Sequence, residues 1–254
     1  YGDMDLSIIR EKPNIRKPVK TYSKLENNIN DVINFIKKEI KLGNQIFWVC
    51  PLIEESKKID HTSAIKKSEY LKKLFPKQVF LLHGKTTVEE KEMILNKFLN
   101  NDFKILVSTT IIEVGIDFPN ANVIVIENAN KFGLSQLHQL RGRVGRGSKQ
   151  STCILMFKSN LSDNAKKRIN ILKETNDGFI ISEEDMKLRG FGDILGFKQS
   201  GIKNFKLADP VHNSDLFILA EKEIKRIENE NESVSKFKPL LKLYDQADVI
   251  NDIV

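Results

Sequence analysis

The sequence predicts an α/β fold: a parallel β-sheet covered by helices, with a mostly helical appendage after it. Two observations carry this. From residue 45 to 158, short apolar runs alternate with segments of helical periodicity. The runs are near-continuously apolar (Ile105-Leu106-Val107, Val123-Ile124-Val125-Ile126, Ile154-Leu155-Met156-Phe157), as in strands buried on both faces. After residue 158 the alternation stops, so the remaining residues read as an appendage and not a second sheet.

Taken in order, residues 10–20 hold Pro13, Pro18 and five basic side chains and read as an extended linker. Leu25, Ile29, Val32, Ile33, Ile36 and Ile40 fall at helical spacing, and Gly43 stops the run. Gln45–Cys50 is a strand; Ser63–Phe75 is a helix ended by Pro76; Gln78–Leu82 is a second strand. Thr87-Val88-Glu89-Glu90 is a capping-box start for a helix reaching Leu99. Strands follow at Lys104–Ser108 and Asn122–Ile126, a helix at Ser135–Arg143, and a fifth strand at Thr152–Phe157. Ala165–Thr175 is helical, Asp177-Gly178 a turn, and Ser182-Glu183-Glu184-Asp185 starts a short helix. Gly190, Gly192, Gly196 and Gly201 punctuate a loop-rich stretch before a long amphipathic helix carrying Leu216, Leu219, Ala220, Ile224 and Ile227. The expected division is a linker (1–21), a sheet domain (22–158), a helical appendage (159–232) and a helical tail (233–254).

The chain has 254 residues, 40% of them hydrophobic, and a net charge of +7, which favours polyanionic partners without specifying one. Between Lys131 and Lys149 there are five basic residues and no Asp or Glu. Cys50 and Cys153 lie in apolar runs and read as buried thiols in a soluble, cytoplasmic protein. No stretch is long and apolar enough to span a membrane, and nothing resembles a signal peptide. The start, Tyr1-Gly2-Asp3-Met4-Asp5, reads as cut from a longer chain.

Ligands of a parallel sheet bind at the carboxyl ends of its strands, where Pro51-Leu52-Ile53, His83-Gly84-Lys85 and the residues from Thr109 onward are expected. Gly84-Lys85-Thr86 is not a P-loop, because the required earlier glycine position is Val79, within a strand. No other such motif occurs, and no Asp-Glu-x-His or Asp-Glu-x-Asp quartet follows an apolar run. A complete NTP-hydrolysis site is therefore not encoded in these residues. Residues 108–119 make a polar, tightly turned loop. Thr109 and Thr110 suit a nucleic-acid phosphate and Asp117 a ribose hydroxyl, although an ordinary strand-to-helix connection has the same composition. In Gln139-Leu140-Arg141-Gly142-Arg143-Val144-Gly145-Arg146-Gly147, arginines alternate with glycines. Arginine is a planar donor fork suited to phosphate, and its spacing here does not keep one helix face. A helix that breaks and aims arginines at one point fits better than a solvated basic helix end.

That stretch resembles motif VI of superfamily-two helicases and translocases. Residues 108–119 resemble their motif V, and Val49–Glu54 with His83-Gly84 resemble motifs IV and IVa. The set implies the second RecA-like motor domain of a two-domain ATPase. Asn176–Gly201 is similar to the translocation motif shared by the RecG family and the transcription-repair coupling factor. Tyr1–Asp5, Glu127-Asn128-Ala129, Phe132-Gly133-Leu134 and Ala208-Asp209 resemble the RecG family specifically. The match covers roughly residues 1–225. The commoner family pattern has Met where this chain has Thr86.

The resemblance implies an ATP-dependent DNA helicase that remodels branched DNA, stalled replication forks and Holliday junctions. ATP and Mg2+ would be held mainly by a first motor domain, and branch recognition would lie in an N-terminal wedge domain. Arg143 and Arg146 would be arginine fingers and Gln139 would orient near the phosphates. Asp117, with Gly115 and Gly142, would contact the nucleotide, and Thr109 and Thr110 the DNA backbone. No metal ligand is implied in this chain, and a monomer acting on branched or double-stranded DNA in the bacterial cytoplasm is expected. The translocation motif holds five acidic residues against three basic ones, so it is no phosphate clamp. Arg189, Gly190, Gly192 and Gln199 are expected to form a lever that relays domain closure, with a helical cap on the sheet as the simpler alternative. The isolated chain is expected to be inactive. The rival readings are a transcription-repair coupling translocase and an ATP-independent nucleic-acid-binding module.

Overall fold

A computed structural model describes residues 17–51, 57–109, 117–189 and 214–229, with positions 236 and 239. Two units emerge: residues 10–189, and residues 190–254 together with 1–9. In the first, six parallel strands form one sheet: β1 (Lys20–Leu25), β2 (Gln45–Val49), β3 (Val79–Leu82), β4 (Ile105–Ser108), β5 (Ala121–Ile126) and β6 (Thr152–Phe157). Their spatial order is β1-β6-β5-β2-β4-β3. The helices are α1 (Ile29–Lys41), α2 (Lys57–Leu74), α3 (Val88–Leu99), α4 (Leu134–Arg141), α5 (Asp163–Glu174) and α6 (Gly178–Arg189). In the second unit the described helix is α7 (Ser214–Asn229).

Alternation along the strands divides the core. Ile46, Trp48, Cys50, Val123, Val125, Ile154 and Met156 face α1 and α2, meeting Val32, Ile33, Ile36, Ala64 and Leu71. Phe47, Val49, Ile124, Ile126, Cys153 and Leu155 point the other way. There they meet Phe98 of α3, Leu134, Leu137 and Leu140 of α4, Ile169 and Leu172 of α5, and Ile181 of α6. The layers are therefore helix, sheet, helix, as the apolar runs require.

Several boundaries differ from the sequence expectation. Residues 20–25, read as linker and helix start, are instead a strand, hydrogen-bonded to β6 from Lys20↔Thr152 to Leu25↔Phe157. It is an edge strand with Tyr22 half exposed, so it lacks an apolar run. Helix α1 begins at Ile29, after a 3-10 turn at Glu26–Asn28. Helix α2 starts at Lys57 and not Ser63; in that earlier stretch only Ile59 is apolar, which leaves no periodicity to read. Helix α4 stops at Arg141, two residues short of Arg143, and a broken stretch comes next. Asp177-Gly178 is not a free-standing turn: Asp177 Oδ1 accepts from Phe179 N at 2.8 Å and starts α6 four residues before Ser182. Helices α5 and α6 fall with the sheet in the unit that runs to Arg189. The capping box of α3 forms as expected, with Glu90 N donating to Thr87 Oγ1 at 3.2 Å and Thr87 N to Glu90 Oε2 at 3.3 Å.

Because all strands are parallel, the chain must return to the amino end of the sheet between them. Cys50-Pro51, His83–Thr86, Thr109 and Glu127 thus come after strands, at the carboxyl end. Asn44, Gln78, Asn120 and Gln150-Ser151 precede strands, at the amino end.

Arg141 ties this architecture together. Its side chain is buried, and Nη1 donates to Leu172 O at 2.6 Å, Thr175 O at 2.9 Å and Thr21 Oγ1 at 3.3 Å. Nη2 lies 3.0 Å from His138 Nδ1. Burial lowers its pKa, but the carbonyls at the C-terminal end of α5 form a negative dipole end that holds a cation. The Cys153 thiol beside it is pushed up to about 12 by burial, with Arg141 pulling the other way. Arg141→Ala strands two carbonyls and opens a void, so it is expected to lower unfolding free energy by about 2–4 kcal/mol in urea titrations.

Candidate nucleotide and nucleic-acid contacts

The arginine stretch is built by a helix that stops. Gly142 ends α4, with its N–H on His138 O at 3.0 Å, and Arg143 N and Val144 N close single turns on Leu140 O and Arg141 O. Gly145 has φ +81°, and a Cβ there would lie 3.0 Å from Val19 Cγ2. The positive φ favours glycine there, and the valine methyl packs close beside it. At Gly147 a Cβ would lie 3.1 Å from Pro119 O, so this loop runs against the segment that leads into β5. Gly142 has ordinary helical angles and meets no such crowding.

This loop lies at the amino end of the sheet. Lys149 Nζ donates to Asn44 Oδ1 at 3.2 Å, and Ser151 Oγ to Asn122 Oδ1 at 3.1 Å. Asn122 Nδ2 in turn donates to Asn44 Oδ1 at 3.0 Å. Asn44, Asn122 and Ser151 are buried and stand at the starts of β2, β5 and β6. The arginine loop is therefore not at the carboxyl end, where the loops after the strands lie.

Arg146 Nη1 is hydrogen-bonded and ion-paired to Asp117 Oδ1. Two residues assigned separate tasks from the sequence are thus direct partners. Asp117 is exposed and Arg146 partly buried. Arg143 is half-buried. The Nε atoms of Arg143 and Arg146 are shielded from solvent and have no hydrogen-bond partner. Gln139 is exposed in the last turn of α4. The three arginines of the stretch therefore divide: Arg141 is turned inward and satisfied, while Arg143 and Arg146 keep donor capacity.

At the carboxyl end, Thr109 follows β4 directly. Its side chain is 3% exposed, and its buried Oγ1 has no hydrogen-bond partner. Thr110 and Gly115 lie outside the described residues, as do Gly190, Gly192 and Gln199. Arg189 closes α6, and its side chain is likewise outside the described part. His83 organises its turn: Lys85 N donates to His83 Nδ1 at 3.2 Å and His83 N to Thr86 Oγ1 at 3.1 Å.

Two arrangements escaped the sequence reading. Glu127, ending the apolar strand β5, pairs with Lys67 Nζ at 2.7 Å, and the Cys50 thiol reaches its other oxygen at 3.7 Å. Burial, and then the Glu127 carboxylate, raise the Cys50 pKa. A carboxylate closing an apolar run was the available signal. The second is the contact of α6 with α4: Ser135 Oγ donates to Asp185 Oδ2 at 2.5 Å, and Gly178 lies against the His138 ring. Residues so far apart in sequence carry no local signal of pairing.

Residues 27–148 match the family model described as helicase conserved C-terminal domain, and residues 175–244 match that of ATP-dependent DNA helicase RecG, domain 3, C-terminal. The chain is 49% identical to the ATP-dependent DNA helicase RecG of Bacillus subtilis, over 84% of this chain and 31% of the relative. It is 44% identical to that of Aquifex aeolicus, over 96% of this chain and 31% of the relative. It thus spans about a third of the length of these relatives. A solved structure of RecG bound to a three-way DNA junction superposes with a TM-score of 0.65 at 42% identity, over 81% of this chain and 26% of that one. The sheet and its helices form the RecA-like fold of a helicase C-terminal domain, and the chain belongs to the RecG helicase family, of which it represents the C-terminal motor region.

Proposed function

We propose that this chain is the second motor domain of an ATP-dependent double-stranded DNA translocase that remodels branched DNA in recombination and repair. The observation that carries the reading is the loop after α4. It carries Arg143 and Arg146 three residues apart, with the Nε donor of each unfilled among the described residues and Arg146 engaged by the exposed Asp117. Guanidinium donors of this kind fit phosphate oxygens and not a metal ion. ATP and Mg2+ are accordingly assigned mainly to the first motor domain. Mg2+ there supplies charge neutralisation on the phosphates. The name of the relatives supports ATP-dependent helicase activity, and the junction complex supports branched DNA as the substrate.

On domain closure, Arg143 and Arg146 stabilise the charge that develops on the transferred phosphoryl group. Asp117 holds Arg146 until the phosphates compete for it, and is then free for the ribose. Gln139, exposed on the last turn of α4, orients beside the phosphates, with Gly142 and Gly115 allowing the backbone to approach. Thr109 and Thr110 take DNA phosphates at the opposite end of the sheet; these contacts are blind to sequence. The protein acts as a monomer in the bacterial cytoplasm, with its partners being DNA, ATP and the other domains of its own chain. Among the described residues, no helix is long and apolar enough to cross a membrane.

The translocation motif, Asn176–Gly201, acts as a lever through Arg189, Gly190, Gly192 and Gln199. Support comes from α6, the first part of that motif, packing on α4, the helix that launches the arginine loop. The acidic excess of the motif also favours a lever over a phosphate clamp.

In the full-length protein, Arg146→Ala is expected to lower ATPase kcat by ~10³-fold while fork-DNA affinity is retained. Steady-state kinetics and gel-shift titration check this, and unchanged kcat would refute the finger role. The chain by itself is expected to show no ATP turnover above that of its Arg143→Ala/Arg146→Ala variant in a phosphate-release assay. Arg189→Ala in the full-length protein is expected to leave ATP hydrolysis largely intact and abolish fork unwinding. Equal losses of both would remove the lever.

A further inference from the structure

The arginine loop has two seats. One is the rigid amino end of the sheet, through Lys149–Asn44 and Ser151–Asn122. The other is a four-residue segment, Pro18–Thr21, at the entry to β1, which meets the arginine stretch at Arg141 and Gly145 and the chain just after it at Gln150 and Ser151. Arg141 Nη1 donates to Thr21 Oγ1 at 3.3 Å, where α4 ends. Val19 fills the space beside Gly145, at the turn between Arg143 and Arg146; a Cβ on that glycine would lie 3.0 Å from the valine methyl. Gln150 Nε2 donates to Pro18 O at 2.7 Å, and Lys20 N donates to Ser151 O at 3.0 Å, where the loop rejoins the sheet.

The two seats differ in kind. Asn44, Asn122 and Ser151 are buried at the starts of three adjacent strands and cannot move without the sheet. Pro18 and Val19 precede the first residue of β1, and Pro18 is exposed. Proline has no backbone N–H, so its carbonyl is its one backbone hydrogen-bonding group. Gln150 reads that carbonyl. Catalytic donors have to be held within about 0.5 Å of their working position, and a displacement of about 1 Å commonly costs ~10²-fold in rate.

We propose that Gln150 and Val19 are positioning residues for Arg143 and Arg146, so that the segment Pro18–Thr21 is the second seat of the arginine loop. The seat rests on the proposed role of Arg143 and Arg146 as phosphate contacts.

The test uses the full-length protein. Gln150→Glu keeps the shape but removes the amide donor to Pro18; Val19→Ala removes the methyls that shape the turn at Gly145. Gln150 is exposed, so its loss does not threaten folding, and melting temperature verifies this for both variants. Each is expected to lower ATPase kcat by about 10-fold, with KM for ATP and fork-DNA affinity within about two-fold of the parent. In an Arg146→Ala background the same substitutions are expected to add little, because they act through that arginine. If kcat of both variants stays within about two-fold of the parent while Arg146→Ala is inactive, the seat is refuted and the arginine reading stands. An undiminished loss in the Arg146→Ala background also refutes the seat. Full activity of Arg146→Ala itself overturns the reading on which the seat rests.

Discussion

A guanidinium buried where helices end is the constraint on which the rest of this domain depends. Arg141 cannot be stripped of water unless its donors are met, and the acceptors available are the last carbonyls of α5, the carbonyl of Thr175 and the Thr21 hydroxyl. Meeting them fixes three things at once: where α4 stops, how α5 lies on the sheet, and how β1 enters. Burying a charge is costly, so such an arrangement is weak as a source of stability and strong as a specifier of geometry. The geometry it specifies is that of the next residues in the chain, Arg143 and Arg146.

The parallel sheet separates the two chemistries. Loops after strands collect at the carboxyl end, where Thr109 stands, and the returning helices deliver the arginines to the amino end. A strand of four to six residues is ~13–20 Å long, so the two sets of contacts do not compete for one surface. The proposed roles, DNA contact at one end of the domain and nucleotide contact at the other, require a mechanical link between them. Helix α4, which leads from the carboxyl end to the arginine loop and has α6 packed on it, is a physical link of this kind.

Legibility in the sequence tracked burial on two faces. Strands β2, β4, β5 and β6 are apolar on both faces and were readable to within a residue or so; β1, at the edge and half exposed, was not. The capping box at Thr87 and Glu90 was readable because helix capping is a property of four consecutive residues. The start of α6 was not, because Asp177-Gly178 carries a turn signal whichever element comes after it. In the site, the interleaved Arg and Gly residues marked the loop, yet the reason for each glycine lay elsewhere: Gly145 answers to Val19 and Gly147 to Pro119.

By itself, then, the chain's sequence determined the layered α/β class, the positions of its central strands and the identity of the arginine loop, because these depend on periodicity and on residues adjacent in the chain. Only the tertiary structure decided which arginine is internal and which are available, that Asp117 faces Arg146, and that the loop lies at the amino end of the sheet against Pro18–Thr21. Those outcomes are set by partners 132 residues away in sequence for Gln150, between 31 and 120 for the partners that bury Arg141, and 29 for Arg146. A guanidinium carries the same five donors in every context, and its surroundings select its task.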